Sequence, residues 1–158
     1  MSKKSQGGIL SKIPINEKSR LLGDIVILMM QSKLHRSYFI EDIYNCILPA
    51  IDLNQFRIYY KKNGHPIGFV CWAFLTEEKE SAYLKAEYSV QQEDWNCGDK
   101  LIVTDLIAPI GHVRKITKDL THNIFPDKIG KYLKLKEKGK IGVAKTFYGK
   151  NTRNKKKK

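Results

Sequence analysis

Residues 67–75 read Ile-Gly-Phe-Val-Cys-Trp-Ala-Phe-Leu, a run with no charged side chain and almost no apolar–polar alternation. A run of that length and composition reads as a strand. Without alternation it must be covered on both faces, so it lies inside a sheet with packed layers above and below. The chain therefore has to supply neighbouring strands and covering helices. Residues 55–61 (Gln-Phe-Arg-Ile-Tyr-Tyr-Lys) read as a strand, and Asn63-Gly64 is a strong turn signal, which predicts an antiparallel hairpin with 67–75. Residues 100–108 form a third apolar strand, stopped by Pro109 and Gly111. Upstream, Leu21, Leu22, Ile25, Val26, Leu28 and Met29 recur at helical spacing and predict a largely buried helix from Asn16 or Ser19 to Ser32. Ile40, Ile43, Tyr44 and Ile47 predict a second helix over 38–48, ended by Pro49. A helix over 112–123 and strands over 131–135 and 141–148 complete the pattern, while 76–88 reads as a short helix followed by an extended piece. The order gives an α+β fold, one mixed sheet with flanking helices.

The length of 158 residues fits one domain. The expected division is a flexible N-terminus over 1–16, a single domain over 17–149 and a basic disordered tail over 150–158. The net charge of +13 points to an anionic partner: nucleic acid, a membrane surface or an acidic protein. Six of the basic residues lie in 150–158 with no acidic residue, which leaves +7 for the rest. A second basic stretch, Lys128, Lys131, Lys134, Lys136, Lys138 and Lys140, also holds Tyr132, Leu133 and Leu135 and so belongs to the folded body. No nucleic-acid motif accompanies either stretch. Cys46, Cys71 and Cys97 are too few and too widely spaced for a disulfide framework or a zinc site, which implies a reducing compartment, the cytoplasm. The most apolar stretch, residues 21–30, contains Gly23 and Asp24 and falls short of the roughly 20 residues a membrane span needs, so no stable membrane insertion is expected.

One polar residue sits oddly. Asp105 interrupts Leu101-Ile102-Val103-Thr104 and Leu106-Ile107-Ala108. A carboxylate in an apolar strand is costly unless it is paired or hydrogen-bonded. It either is satisfied structurally or orients a histidine. Among the histidines, His35 follows the first helix on a short connector, where functional groups concentrate. His65 falls in the hairpin turn, His112 opens a helix and His122 lies near a helix end. They do not cluster with one another or with a cysteine pair, so no metal site is expected. Cys46 and Cys71 read as buried small hydrophobes. Cys97 falls in a loop with nothing nearby to activate it as a nucleophile.

Several segments together resemble one family. They are Leu34-His35-Arg36 preceded by Ser32, Ile47-Leu48-Pro49-Ala50-Ile51 with Asn54-Gln55, Pro66-Ile67 through Cys71-Trp72-Ala73, Glu93-Asp94-Trp95 with Gly98-Asp99, and Thr104-Asp105-Leu106-Ile107-Ala108-Pro109-Ile110-Gly111. Weaker echoes are Phe125-Pro126 and Val143-Ala144-Lys145 with Phe147-Tyr148-Gly149. In order and spacing, from about residue 21 to 149, the chain resembles the hemolysin C type of toxin-activating lysine acyltransferases, which fatty-acylate RTX protoxins. The resemblance implies a GCN5-related acetyltransferase-like fold and a homodimer. The implied donor is acyl-acyl carrier protein, with no permanently bound cofactor, and the implied acceptor is an internal lysine of an RTX protoxin. It carries the family's essential histidine onto His35, its essential aspartate onto Asp105 and its serine onto Ser32. Arg36 and Asn45 follow as substrate-binding candidates. The chain departs from the family at Lys33, where proline is frequent, and at Cys46, where the family's functional asparagine aligns and Asn45 is one position early. Relatives commonly run into a further helix after the final Gly-Lys, where this sequence passes into polylysine.

The implied pair makes chemical sense. A thioester is already activated, whereas a lysine amine, pKa near 10.4, is mostly protonated at neutral pH. A histidine, ordinarily near 6.5, can take the proton as the amine attacks, and a carboxylate can hold the imidazole tautomer. Backbone amides on a splayed strand can stabilise the oxyanion. The basic charge then suits an acidic carrier protein. Two other classes fit the composition: a basic nucleic-acid-binding module and a non-catalytic escort of a toxin.

Overall fold

The computed structural model describes residues 13–134 and 142–153. Helix α1 (Ile15–Gln31) starts directly after Pro14, whose fixed φ of −58° lets the chain turn in. It buries Leu21, Ile25, Leu28 and Met29. The expected N-terminal boundary moves towards the N-terminus, since residues 15 and 16 are already helical; residues 1–12 lie outside the described part. After a 3-10 turn (His35–Ser37), the second helical region comprises α2 (Ile40–Asp42), a widened π turn (Ile43–Ile47) and α3 (Leu48–Asp52). Pro49 does not end this region, contrary to the sequence expectation. The π turn intervenes, so Pro49 falls in the first turn of α3, where no intrahelical N–H donor is required.

Strands β1 (Phe56–Tyr60), β2 (Pro66–Leu75) and β3 (Lys100–Ile107) form the expected antiparallel meander. Gly64, at φ +83°, makes the β1–β2 turn. Between β2 and β3, α4 (Glu77–Leu84) settles the ambiguous stretch, with Thr76 capping it by accepting from the Lys79 N–H. A crossover through α5 (Val113–Asp119) and a π turn (Leu120–Ile124) then brings β4 (Ile129–Lys134) parallel to β3. Strand β5 (Val143–Tyr148) pairs antiparallel with β4, giving the order β1-β2-β3-β4-β5. The architecture is a mixed α+β fold around one sheet. Leu135 and Ile141, expected at the ends of the last two strands, lie outside the described residues, as do Lys136, Lys138 and Lys140.

The sheet divides the core in two. On one face, Phe69, Cys71, Ala73 and Ile102 pack with α1, α3 and Trp95. On the other, Val70, Trp72, Leu101 and Val103 pack with Ile116, Leu120, Phe125 and Phe147. Strand β2 is covered on both faces, as its lack of alternation requires. The ordered body also runs further than expected. Lys150 N–H donates to Thr121 O and Asn151 N–H to Pro126 O, both at 2.9 Å, and Thr152 is buried. Gly149 allows this closure, since a Cβ there would sit 2.2 Å from Phe125 O. Residues 154–158 of the expected tail are outside the described part. Among the described residues, no helix is long and apolar enough to cross a membrane.

Two irregularities of β3 open the sheet near its centre. Its pairing with β2 matches Cys71 to Asp105 but Trp72 to Val103, so Thr104 is an extra residue, a β-bulge. Its parallel pairing with β4 covers only Leu101–Val103 against Gly130–Tyr132. Beyond Val103 the two strands run on without pairing to each other among the described residues, and the sheet splits at the bulge.

Candidate active site

Strict alternation from Ile102, which faces α1, would put Asp105 on the α5 face with Val103. The extra residue Thr104 changes the phase. Thr104 and Asp105, consecutive in sequence, both line a cavity on the α1 side. His35 arrives there from the connector. After α1 ends, Ser32 is extended and its carbonyl accepts from Arg36 N–H at 3.0 Å, which folds the connector into the 3-10 turn. His35 is 4% exposed as a result.

The two sequence candidates, 70 residues apart, meet here. His35 Nε2 lies 2.7 Å from Asp105 Oδ1, and Asp105 is itself nearly buried. His35 Nδ1 lies 2.7 Å from Ser32 Oγ. With Asp105 accepting Nε2–H, the free lone pair of His35 is on Nδ1, and the Ser32 hydroxyl donates to it. Serine, histidine and aspartate thus form one hydrogen-bonded chain, with the ring nitrogens used in the reverse sense of the serine-protease triad. Tyr38 closes the arrangement: its ring centroid is 5.1 Å from that of His35, and its hydroxyl lies 3.5 Å from Asp105 Oδ2.

Next to Asp105 is a cavity of about 460 Å³, lined among others by Tyr38, Asn45, Cys46, Tyr83 and Thr104. Of the pair, Asp105 reaches this space, whereas His35 is not among its lining residues. Asn45 and Cys46 both line it, because the π turn has more residues per turn than an α-helix and so separates successive side chains by a smaller angle. Arg36 is exposed and its side chain has no hydrogen bond or ion pair among the described residues. Sequence reasoning missed Tyr38 and Tyr83. Tyr38 carried a weak signal, three residues after His35 on the same turn; Tyr83 carried none.

Burial raises the Cys46 thiol to about 11, and the negative charges of Asp105 and Asp42 add to it. Cys46 is half-buried rather than a core hydrophobe. At pH 8 a thiol at that value holds about a hundredfold less thiolate than an ordinary cysteine near 8.5–9. Cys46 should therefore react slowly with iodoacetamide at pH 8, and Asp105→Asn should speed it several-fold by removing one of the charges that disfavour the thiolate. Peptide-mapped alkylation against pH measures both; equal rates in wild type and variant would contradict this electrostatic coupling. Cys71 is fully buried, and its Sγ lies 3.3 Å from Thr104 Oγ1. Cys97 is half-buried against the core, and no histidine bonds to it among the described residues.

Residues 15–148 match the RTX toxin acyltransferase family (HlyC). The chain belongs to this family. It is 42% identical over 140 residues to an uncharacterized Synechocystis protein, sll0720, covering 86% of this chain and 95% of that protein. It is 32% identical over 115 residues to the lysine-acyltransferase RtxC of Vibrio cholerae, covering 73% of this chain and 75% of the relative. It is 31% identical over 135 residues to the protein-lysine myristoyltransferase HlyC of Escherichia coli, covering 85% and 78%. Within an RTX toxin acyltransferase, the split between β3 and β4 takes on chemical interest. On its α5 side lies an apolar cavity of about 440 Å³ lined by Val103, Leu106, Leu120, Tyr132 and Phe147, among others. A separate groove of about 650 Å³ beside β1 is lined by Arg57, Tyr59, Lys115, Lys118, His122 and Lys150 with Asp119. Asp119 is already engaged by Tyr59 Oη and Asn123 Nδ2, both at 2.7 Å, so the lysines there are exposed without a carboxylate partner among the described residues.

Proposed function

We propose that this protein is a protein-lysine fatty acyltransferase of the cytoplasm that activates an RTX protoxin, taking the acyl group from acyl-acyl carrier protein. The observation that carries the reading is the hydrogen-bonded chain Ser32–His35–Asp105 beside a cavity, in a member of this family. Relatives of the chain are named lysine-acyltransferases and, in one case, a protein-lysine myristoyltransferase.

In the proposed reaction, a neutral lysine amine attacks the thioester carbonyl. The carbon–nitrogen bond forms, the carbon–sulfur bond breaks, and the amine proton leaves through the His35–Asp105 pair. That proton returns to the departing sulfur, which leaves as the thiol of the carrier's prosthetic group. The carboxylate of Asp105 holds His35 in one tautomer and offsets the positive charge that the ring acquires. The backbone of β3 beyond Val103, which does not pair with β4 among the described residues, is suited to hold the oxyanion, and the apolar cavity there is suited to an alkyl chain. The basic groove beside β1 favours an acidic carrier. Of the basic stretch 128–140, Lys131 is paired with Glu80 at 3.1 Å and Lys128 lies over the Phe74 ring, so these two are less available to a partner.

Intact mass of an RTX protoxin, after incubation with this protein and acylated carrier, tests the reading. The expected result is a gain equal to one or more fatty acyl groups, mapped to lysines. Binding of the protoxin with no gain in mass would favour the escort reading instead.

A further inference from the structure

The apolar cavity at the β3–β4 split has a direction. Among the described residues that line it, Val113 and Lys134 are exposed, Leu106 and Tyr132 are half-buried, and Val103 and Phe147 are buried. The exposed end lies beside the bulge, where Leu106 follows Asp105. The buried end lies toward the start of β3, since Phe147 pairs with Gly130 and Gly130 pairs with Leu101. Leu101 and Phe125 share a core cluster with Phe147 yet do not line the cavity, so the open space stops at the Phe147 ring. From Leu101 to Leu106 a strand rises about 15 Å, which sets the scale of a ligand lying between the ring and the bulge.

A second observation fixes the ring itself. A Cβ on Gly130 would overlap the tip of the Phe147 ring and come within 3.0 Å of Leu101 Cγ. The missing side chain of Gly130 thus leaves the place on β4 where that ring rests. With a larger residue at 130 the ring would have to move off β4, and the free space beside it is the cavity. The lining also states the chemistry of an occupant. Among the described residues its one charged side chain is Lys134, at the exposed end, whereas Val103, Leu120 and Phe147 offer only hydrocarbon at the buried end. That suits a long uncharged chain with its polar head at the bulge and its tail at Phe147.

Resting on the acyltransferase reading, we infer that Phe147, held against Gly130, is the specificity-determining residue for the acyl chain. It closes the cavity and sets the longest chain that fits with its carbonyl at the bulge. Each methylene that enters the cavity should tighten binding about fourfold. Once the terminal methyl meets the ring, a further methylene finds no apolar surface to cover and must push the carbonyl out of place. The affinity therefore breaks at one chain length. The ring stops the tail and does not touch the reacting atoms, so altering it changes which chain is preferred more than how fast a well-fitting chain reacts.

The test reads binding without acyl transfer. Straight-chain saturated fatty acids from hexanoate to palmitate, whose carboxylate stands in for the thioester carbonyl, are titrated by calorimetry into the full chain below their micellar concentrations. The expected result is an affinity that climbs about fourfold per methylene and then levels off or falls. Phe147→Ala should move the break to a chain longer by roughly two or more methylenes, and Phe147→Leu should move it the same way by less. Gly130→Ala, which drives the ring into the cavity, should move it to a shorter chain. A fatty acid of the break length with a terminal diazirine should label the wild-type chain at Phe147, Val103 or Leu120, a readout that needs no variant. An affinity that climbs to palmitate without a break, a break that stays in place in the folded variants, no saturable binding, or labelling elsewhere would each overturn the assignment. The protoxin mass experiment separates the two readings. A protein that acylates protoxin but shows no break keeps the function and loses the chain-length stop. One that shows the break without acylating keeps an alkyl-binding cavity and loses the function.

Discussion

His35→Ala and Asp105→Ala should each lower acyl transfer by about a thousandfold, within the range that a positioned acid–base group contributes. The geometry makes the two losses non-additive. His35 Nε2 and Asp105 Oδ1 share one hydrogen bond at 2.7 Å, so removing either member disables the pair, and the double variant should be little slower than the single ones. Folding must be checked separately. Among the described residues, His35→Ala leaves Asp105 as a nearly buried carboxylate with only the long Tyr38 side-chain contact, and an uncompensated buried charge is destabilising. Asp105→Asn avoids that problem, since it keeps the shape and removes the charge. It should retain a cooperative melt and still lose transfer, because an amide neither offsets the imidazolium nor enforces the Nε2–H tautomer. A normal rate for folded His35→Ala would refute the assignment. Ser32 acts on the other ring nitrogen, and its loss frees Nδ1 rather than destroying it, so Ser32→Ala should cost far less than either change to the pair.

Reversing charge in the groove beside β1 should have the second-largest effect. Lys115→Glu with Lys118→Glu changes the local charge by four units at positions that are exposed and have no carboxylate partner among the described residues. For an acidic carrier, kcat/KM should fall about ten- to a hundredfold at low ionic strength, chiefly through KM. The gap should close as salt rises, because the Debye length shrinks from about 30 Å at 0.01 M to about 8 Å at 0.15 M. A double variant with unchanged carrier dependence at low salt would remove this groove from the docking surface. The same change in Lys128 and Lys131 should matter less for docking. The charge of Lys131 is already engaged by Glu80, and its reversal would act mainly by breaking that pair.

Much of the framework was legible in the residues. The unalternating run 67–75 required a strand covered on both faces, and β2 is one. Asn63-Gly64 marked the hairpin, and Gly64 adopts the positive φ that such turns use. Helix α1 followed from its apolar spacing. Pro49 misled because proline breaks an α-helix by removing one donor, yet a π turn upstream can shift it to where no donor is missed. The end of the ordered body was also misread. Lys150 and Asn151 look like the start of a charged tail, but their backbone N–H groups, not their side chains, tie them to Thr121 and Pro126. Side-chain composition carries no record of such bonds.

The same division runs through the site. By itself the sequence marked Asp105 as an anomaly in an apolar strand and His35 as a histidine on a connector, since both features are local. It also fixed the net charge, which long-range electrostatics uses wherever the charges fall. Only the tertiary structure decided which way Asp105 points. One extra residue at Thr104 turns its side chain from the α5 face to the α1 face, and a bulge is a property of the pairing with β2 rather than of β3 alone. Only the tertiary structure set the ring nitrogens of His35 between Ser32 and Asp105. And only it gathered Glu41, Asp42 and Asp105 around one cavity in a strongly basic chain, because groups distant in sequence share a field only once the fold has brought them together.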